Sequence, residues 1–127
     1  MEVYAGKDEY KIRKNLVGKI YESGEVYKIS NGSEELIGEV INDQFYMFSK
    51  YIGRCGDVST MGNGGKIYTG KRPNEDMVGL IDYGKYYVSR NIDDHSYMIG
   101  FHSNAWQTKA GDGKYAAAYF LLLFNQK

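Results

Sequence analysis

The sequence predicts an all-β domain, an antiparallel meander of about five hairpins followed by an apolar C-terminal helix. Three observations predict it. The chain combines 13 tyrosines and 16 glycines with a single proline, which is typical of strands joined by tight turns. Two short phrases alternate along it, and an apolar run lies near its C-terminus. A length of 127 residues fits one domain, 1–127, whose sheet forms a barrel, a sandwich or a roll.

The first phrase, here named the glycine tripeptide, is an apolar residue, then Val or Ile, then Gly. It occurs at Leu16-Val17-Gly18, Leu36-Ile37-Gly38, Tyr51-Ile52-Gly53, Met77-Val78-Gly79 and Met98-Ile99-Gly100. The second, the tyrosine phrase, occurs at Val26-Tyr27, Phe45-Tyr46, Ile67-Tyr68, Tyr86-Tyr87 and, less clearly, Lys114-Tyr115, with Val3-Tyr4 ahead of the first tripeptide. Tyr51 is the only first member of a tripeptide with a polar tip. Because the phrases alternate, we interpret each tripeptide and the tyrosine phrase after it as two strands of a hairpin.

Turn residues separate the phrases. Segments such as "ESGE", "NDQ" and "DYGK" combine Gly, Asn and Asp, which accept left-handed backbone conformations or bond to their own backbone. Two connections are longer, 56–66 and 102–114, and both are polar and contain glycine. Added length is tolerated at turns because closing a longer loop costs little extra entropy. The spacing therefore predicts hairpins, two of them with extended loops.

A glycine inside an apolar strand leaves a gap that a neighbouring side chain must fill. The recurring tyrosine is the obvious candidate, since an aromatic ring packs well across a glycine on the next strand. We therefore predict that Tyr27, Tyr46, Tyr68 and Tyr87 each pack over a tripeptide glycine.

The alternation of "VG" with "GKIY" resembles tandem β-hairpin repeats of small bacterial proteins of unassigned function, which also end in an Ala- and Leu-rich tail. The resemblance spans about 16–124 and implies a fold without an activity. The segments "VYAG" (3–6) and "IYTG" (67–70) are also similar to membrane occupation and recognition nexus (MORN) repeats. The phrases "VYKI" and "FYMF" depart from that pattern, so the lipid contacts of that family are not expected here.

The C-terminal run "YAAAYFLLLF", residues 115–124, is about half the ~20 residues needed to cross a bilayer. Its alanines and leucines favour a helix over 114–125, although a central strand also fits "YFLLLF". Such a helix is apolar on every side and is expected to be buried, on the glycine-bearing face of the sheet or in a barrel mouth. If nothing in the monomer covers it, the run is a dimer interface.

Charge and cysteine content restrict the partners and the compartment. The formal net charge is zero, so no long-range field attracts nucleic acid or an anionic membrane. The single Cys55 forms no internal disulfide, and the N-terminal segment lacks an apolar signal-peptide core, so a cytoplasmic protein is expected. Protected strand edges make a homodimer or a protein partner plausible.

Catalytic and metal sites are not predicted. His95 and His102 lie near Asp93 and Asp94 and offer a zinc site or a metal-assisted hydrolase, but a hairpin turn within so short a stretch gives poor ligand geometry. Cys55 is expected in a core position and not as a nucleophile. The Gly-Lys segments lack the full phosphate-loop pattern. No cofactor is expected.

A binding site is the alternative. Trp106, the only tryptophan, lies in a long connection, where an indole is available for binding. It could form an aromatic rim with Tyr51, Tyr83 and His102, suited to a carbohydrate or a peptide. Three function classes follow: first a non-catalytic scaffold or protein-interaction module, then this ligand-binding module, and last an enzyme at Asp94, His95 and His102.

Overall fold

The computed structural model describes residues 1–6, 15–56, 64–71, 73–82, 84–89, 97–102 and 113–125. Its strands are β1 (Glu2–Ala5), β2 (Leu16–Ile20), β3 (Glu25–Ser30), β4 (Ser33–Ile41), β5 (Gln44–Met47), β6 (Lys50–Gly56), β7 (Gly64–Thr69), β8 (Asp76–Asp82), β9 (Lys85–Val88) and β10 (Met98–His102), followed by the helix α1 (Gly113–Phe124). Each strand pairs antiparallel with its neighbours in sequence, and β1 pairs with β10, which closes a barrel. The predicted all-β meander is confirmed, and of the three architectures it is the barrel.

The C-terminal helix fills this barrel. The inward side chains of a barrel fill its interior only up to about eight strands, so a barrel of ten strands encloses additional space. The helix occupies the space, and its residues 115–122 are buried on all sides, with Ala116, Ala117 and Ala118 fully inaccessible. The predicted apolar helix is confirmed. We name the barrel ends after the helix: the N-terminal mouth, where the Gly113 amide donates to the Asn42 carbonyl, and the C-terminal mouth beside Phe124.

Every glycine tripeptide contains a β-bulge. The tyrosine phrase of the preceding strand faces only the first and third tripeptide residues, so the central Val or Ile is the extra residue. The paired residues are Val3–Gly18 and Tyr4–Leu16, Val26–Gly38 and Tyr27–Leu36, Phe45–Gly53 and Tyr46–Tyr51, Ile67–Gly79 and Tyr68–Met77, and Tyr86–Gly100 and Tyr87–Met98. The alternation read in the sequence is therefore a series of bulged hairpins, and bulges supply the bending that a closed barrel needs.

Four of the predicted hairpins, each a tripeptide strand with the tyrosine-phrase strand after it, are present as β2–β3, β4–β5, β6–β7 and β8–β9. The bulged pairs, in contrast, begin one phrase earlier. Val3-Tyr4 is the tyrosine phrase of the first bulged pair, on β1. Lys114-Tyr115, which we counted as the last tyrosine phrase, belongs to the helix, and that interpretation was wrong. The error arose because a Lys-Tyr pair in a helix looks the same in one sequence as in a strand.

Helix side chains, and not tyrosines, fill the space beside four of the five tripeptide glycines. Substituting a Cβ would bring Gly18 against Leu121, Gly53 against Phe120, Gly79 against Tyr119 and Gly100 against Leu122. Four consecutive helical residues thus point at four different strands. Successive residues of a helix point about 100° apart, so the side chains of a single helical turn reach glycines all around the barrel. The remaining glycine, Gly38, lies against the carbonyl group of Tyr46 and the ring of Phe45.

The prediction that the tyrosines of the tyrosine phrases cover the glycines was therefore wrong. In each phrase the first residue is buried inside the barrel, and the tyrosine, on the opposite face of its strand, is only partly buried. Tyr27 packs edge-on against Tyr21, and Tyr46 against Tyr51. Because successive strand residues alternate faces, the phrase that buries an aliphatic or aromatic residue must place its tyrosine outside.

Candidate functional site

The predicted site residues do not form one site. Tyr51 lies on the outer face of β6, whereas His102 is buried on the inner face of β10, four strands away around the barrel. Trp106 and Tyr83 lie outside the described residues, as do Asp93, Asp94 and His95 of the predicted histidine-carboxylate neighbourhood.

His102 is a core residue in the described structure. Its side chain is 4 % exposed, its ring stacks on Tyr115 with centroids 5.5 Å apart, and its Nδ1 lies 2.5 Å from the Tyr86 hydroxyl. Within the described part of the chain, its Nε2 has no hydrogen-bond partner. Burial, with a smaller contribution from the N-terminal amine, lowers the pKa of His102 to about 4. His102 is therefore neutral at physiological pH.

A pocket of about 340 Å³ lies outside the barrel, on the bulged hairpin β5–β6 and beneath the connection from β7 to β8. We name it the outer pocket. It is lined by Asp43, Gln44, Tyr46, Tyr51, Arg54, Lys71 and Glu75. Because Phe45, Gly53 and Cys55 face the barrel interior, the residues alternating with them face outward. The strand period thus places Gln44, Tyr46 and Arg54 on the outer face. Tyr51 also faces outward because the bulge at Ile52 reverses the alternation between Gly53 and Tyr51.

Two tyrosine rings form one wall of the outer pocket. The rings of Tyr46 and Tyr51 meet edge to face, with centroids 5.6 Å apart, and the Tyr46 hydroxyl donates to Gln44 Oε1 at 2.7 Å. The bulge at Ile52 makes this contact possible, because it pairs Tyr46 directly with Tyr51. Desolvation, followed by the charge of Glu75, raises the pKa of Tyr51, so its hydroxyl stays protonated.

A rigid ion pair forms another part of the lining of the outer pocket. Arg54 donates from Nε to Glu75 Oε2 at 2.6 Å and from Nη2 to Glu75 Oε1 at 2.9 Å, a bidentate pairing that fixes both side chains. They are only 13 % and 12 % exposed. The guanidinium also lies 4.6 Å from the centroid of the Tyr68 ring. The hydrogen bond from Arg54 to Glu75 raises the pKa of the guanidinium.

The connection between β7 and β8 supplies the third side of the outer pocket. Gly70 has φ near 82°, a left-handed conformation that glycine adopts without strain, and a Cβ there would lie 2.8 Å from the Asn74 carbonyl oxygen. The Asn74 amide donates to the Lys71 carbonyl. This turn holds the Lys71 ammonium 5.9 Å from the centroid of the Tyr51 ring and presents Glu75 to Arg54.

The charged side chains that line the outer pocket cancel in pairs. Arg54 and Glu75 neutralise each other, which leaves Lys71 and Asp43 as charges of opposite sign. Among the described residues, no group of His, Cys, Asp and Glu side chains is arranged to hold a metal ion. Cys55 is buried on the inner face of β6, as predicted for a core position.

Sequence reasoning identified Tyr51 but missed its neighbours. Arg54 and Glu75 lie too far apart in the chain for any motif to connect them, and pairing across three strands brings them together. The available signal was Tyr51 itself, the one polar-tipped first member of a glycine tripeptide. It marks the hairpin whose outer face differs from the others.

No protein-family model matches this chain, and neither a curated protein nor a solved structure matches it. Within its described part, the chain forms no helix that combines the length and the hydropathy needed to cross a membrane. The resemblance to tandem hairpin proteins stays a prediction, and the functional proposal depends on the geometry of the outer pocket.

Proposed function

We propose that the protein is a non-catalytic binding module whose outer pocket takes a neutral carbohydrate. The observation that carries the proposal is the composition of this pocket, which is lined by two tyrosine rings in contact with each other and by a fixed, mutually neutralised ion pair. The proposal falls in the ligand-binding class that the sequence predicted as an alternative. Its site contains Tyr51 but not His102.

The barrel interior favours an external site. Barrels that bind small molecules usually hold them inside, but here residues 115–122 of the protein's own helix fill that space. The helix is part of the core, and removing it would expose the glycine-lined wall. A ligand is therefore expected on the outer surface, and about 340 Å³ is at the lower end of the ~300–1,000 Å³ found for small-molecule pockets.

The chemistry of the outer pocket matches a sugar ring. A sugar offers an apolar face of C–H groups to aromatic rings, and Tyr46 and Tyr51 provide such rings with low conformational freedom. Its hydroxyls both donate and accept, and the pocket offers donors on Lys71 and acceptors on Asp43 and Gln44. The lining charges cancel in pairs, so a neutral ligand meets no net field.

The experiment is a glycan array followed by titration calorimetry of each positive glycan against the wild-type chain and two variants. Tyr51→Ala removes a pocket ring and is expected to weaken binding at least about tenfold, or ~1.4 kcal/mol. The control is Tyr27→Ala, which removes a partly exposed tyrosine of the β3–β4 hairpin at the position equivalent to Tyr46. It lies outside the pocket lining and is expected to leave the affinity unchanged. A peptide array is probed in parallel.

Three outcomes would contradict the proposal. If no glycan binds, or if Tyr51→Ala and Tyr27→Ala weaken binding equally, the outer pocket is not a carbohydrate site. If only peptides bind and Tyr51→Ala abolishes that binding, the pocket is a binding site but the ligand class is wrong.

A further inference from the structure

An exposed apolar patch lies at the C-terminal mouth of the barrel, and none of its three residues lines the outer pocket. Phe48 is 68 % exposed, Phe124 is 55 % exposed and Leu36 is 51 % exposed. We name these three residues the mouth patch. Apolar side chains of this size in one area are typical of an association surface.

Phe48 occupies a backbone conformation that disfavours it. Phe48 and Ser49 connect β5 to β6 in a two-residue turn with φ values of 48° and 69°. The corresponding turn between β3 and β4 uses Asn31 and Gly32, residues suited to left-handed turns. A bulky residue is strained there. The isolated fold therefore gains neither turn stability nor burial from Phe48.

The mouth patch combines projecting rings with the grooves that such rings fill. Phe48 separates two adjacent grooves. One, of about 310 Å³, enters the C-terminal mouth between Ile37, Met47 and Leu121. The other, of about 270 Å³, runs along the outer wall past Leu36. A surface that carries both a projecting Phe48 and an apolar groove beside it is self-complementary. A two-fold interface requires such a surface, because the same patch of both copies takes part and each residue pair occurs twice.

The charges at the mouth also favour a second copy. The first groove is bordered by Lys28 and Glu35, which face each other across β3 and β4. In a two-fold arrangement, Lys28 of one copy can meet Glu35 of the other, and the reverse. The formal net charge of zero means that two copies do not repel each other at long range. A strongly charged partner would not find an excess of opposite charge around this groove.

We propose that the mouth patch is the interface of a two-fold homodimer, in which Phe48 of each copy enters the groove beside Phe48 of the other.

The test is sedimentation equilibrium over about three decades of protein concentration, because dimerisation follows mass action. The wild-type chain is expected to convert from monomer to dimer. Phe48→Asn is expected to weaken the dimer at least about tenfold, and Phe124→Ala to weaken it in the same direction. Ile41→Asn, which removes an exposed apolar residue of β4 near the N-terminal mouth, is the matched control and should leave the dissociation constant unchanged.

Thermal unfolding in dilute solution separates loss of the interface from loss of the fold. Asn tolerates the left-handed conformation better than Phe, so monomeric Phe48→Asn is expected to be at least as stable as the monomeric wild-type chain. A wild-type chain that stays monomeric at every concentration would overturn the proposal. So would a Phe48→Asn variant that dimerises as before, or assemblies that keep growing beyond two copies.

Discussion

The inner and outer faces of the five bulged hairpins follow different rules. On the inner face, the third position of every tripeptide is glycine, and four of the five glycines lie against consecutive residues of one helix. On the outer face, the first position holds Leu, Leu, Tyr, Met and Met. The inner positions repeat because a Cβ there would meet the helix at four of the five glycines, and at Gly38 would meet the backbone and ring of the neighbouring strand. The outer positions vary because solvent imposes no common shape.

This difference indicates where function is to be sought. The β3–β4 and β5–β6 hairpins share their inner positions, with glycine paired to an apolar residue in both. Outside, Leu36 and Glu39 of the first correspond to Tyr51 and Arg54 of the second. Only the second arrangement, among the described hairpins, pairs an outward arginine with a carboxylate and an outward tyrosine. The departure from the repeat is therefore the better guide to a site than the repeat itself.

The largest effect on stability is expected from removing a helix side chain that fills the barrel interior. Phe120 is 3 % exposed and lies beside Gly53 and the Phe45 ring, so Phe120→Ala should destabilise the fold by about 3–5 kcal/mol. Phe124→Ala, one turn later on the exposed part of the same helix, is the control and should change stability by less than about 1 kcal/mol. Urea unfolding in dilute solution measures both. Equal effects would show that the helix is not a core element.

A smaller effect is expected from filling the space beside an inner glycine. A Cβ at Gly79 would overlap the ring of Tyr119, so Gly79→Ala should cost about 1–3 kcal/mol through overpacking. Tyr119→Leu removes the ring but also its hydrogen bond to the Val78 carbonyl. If the helix is what requires glycine, the double variant should be more stable than the sum of the two losses predicts, which urea unfolding in a double-mutant cycle measures. Additive losses would contradict this account.

The third effect depends on pH and concerns the buried ring of His102. Its pKa is about 4 in the folded state and about 6.5 when unfolded, so between these values the unfolded state binds more protons. Stability is therefore complete above about pH 6.5 and falls as the pH drops toward 4. The loss between about pH 7 and pH 5 should be about 2 kcal/mol.

His102→Phe keeps an aromatic ring against Tyr115 but removes the titrating group. Urea unfolding at both pH values should show a pH dependence smaller by that amount in the variant, since all other titrating groups are shared. An unchanged dependence would mean that His102 is accessible to protons in the folded state.

The fold was largely predictable, and the candidate site was not. Strand period, turn residues and the paired phrases predicted the hairpins because all three are local properties of the chain. The helix was predictable from Ala116 to Leu123 because no polar face interrupts the run. The prediction that tyrosines pack over the glycines failed because either a neighbouring strand or a distant helix can fill the space beside a glycine, and at four of the five glycines the helix does so.

By itself, the sequence determined an antiparallel hairpin meander and a wholly apolar C-terminal helix, since both depend on the order of nearby residues. Closure of the barrel, the contacts of Tyr119 to Leu122 with the ring of glycines, and the pairing of Arg54 with Glu75 were decided only by the tertiary structure. Those contacts join residues far apart in the chain, and the free energy that selects them is available only when the whole sheet surrounds the helix.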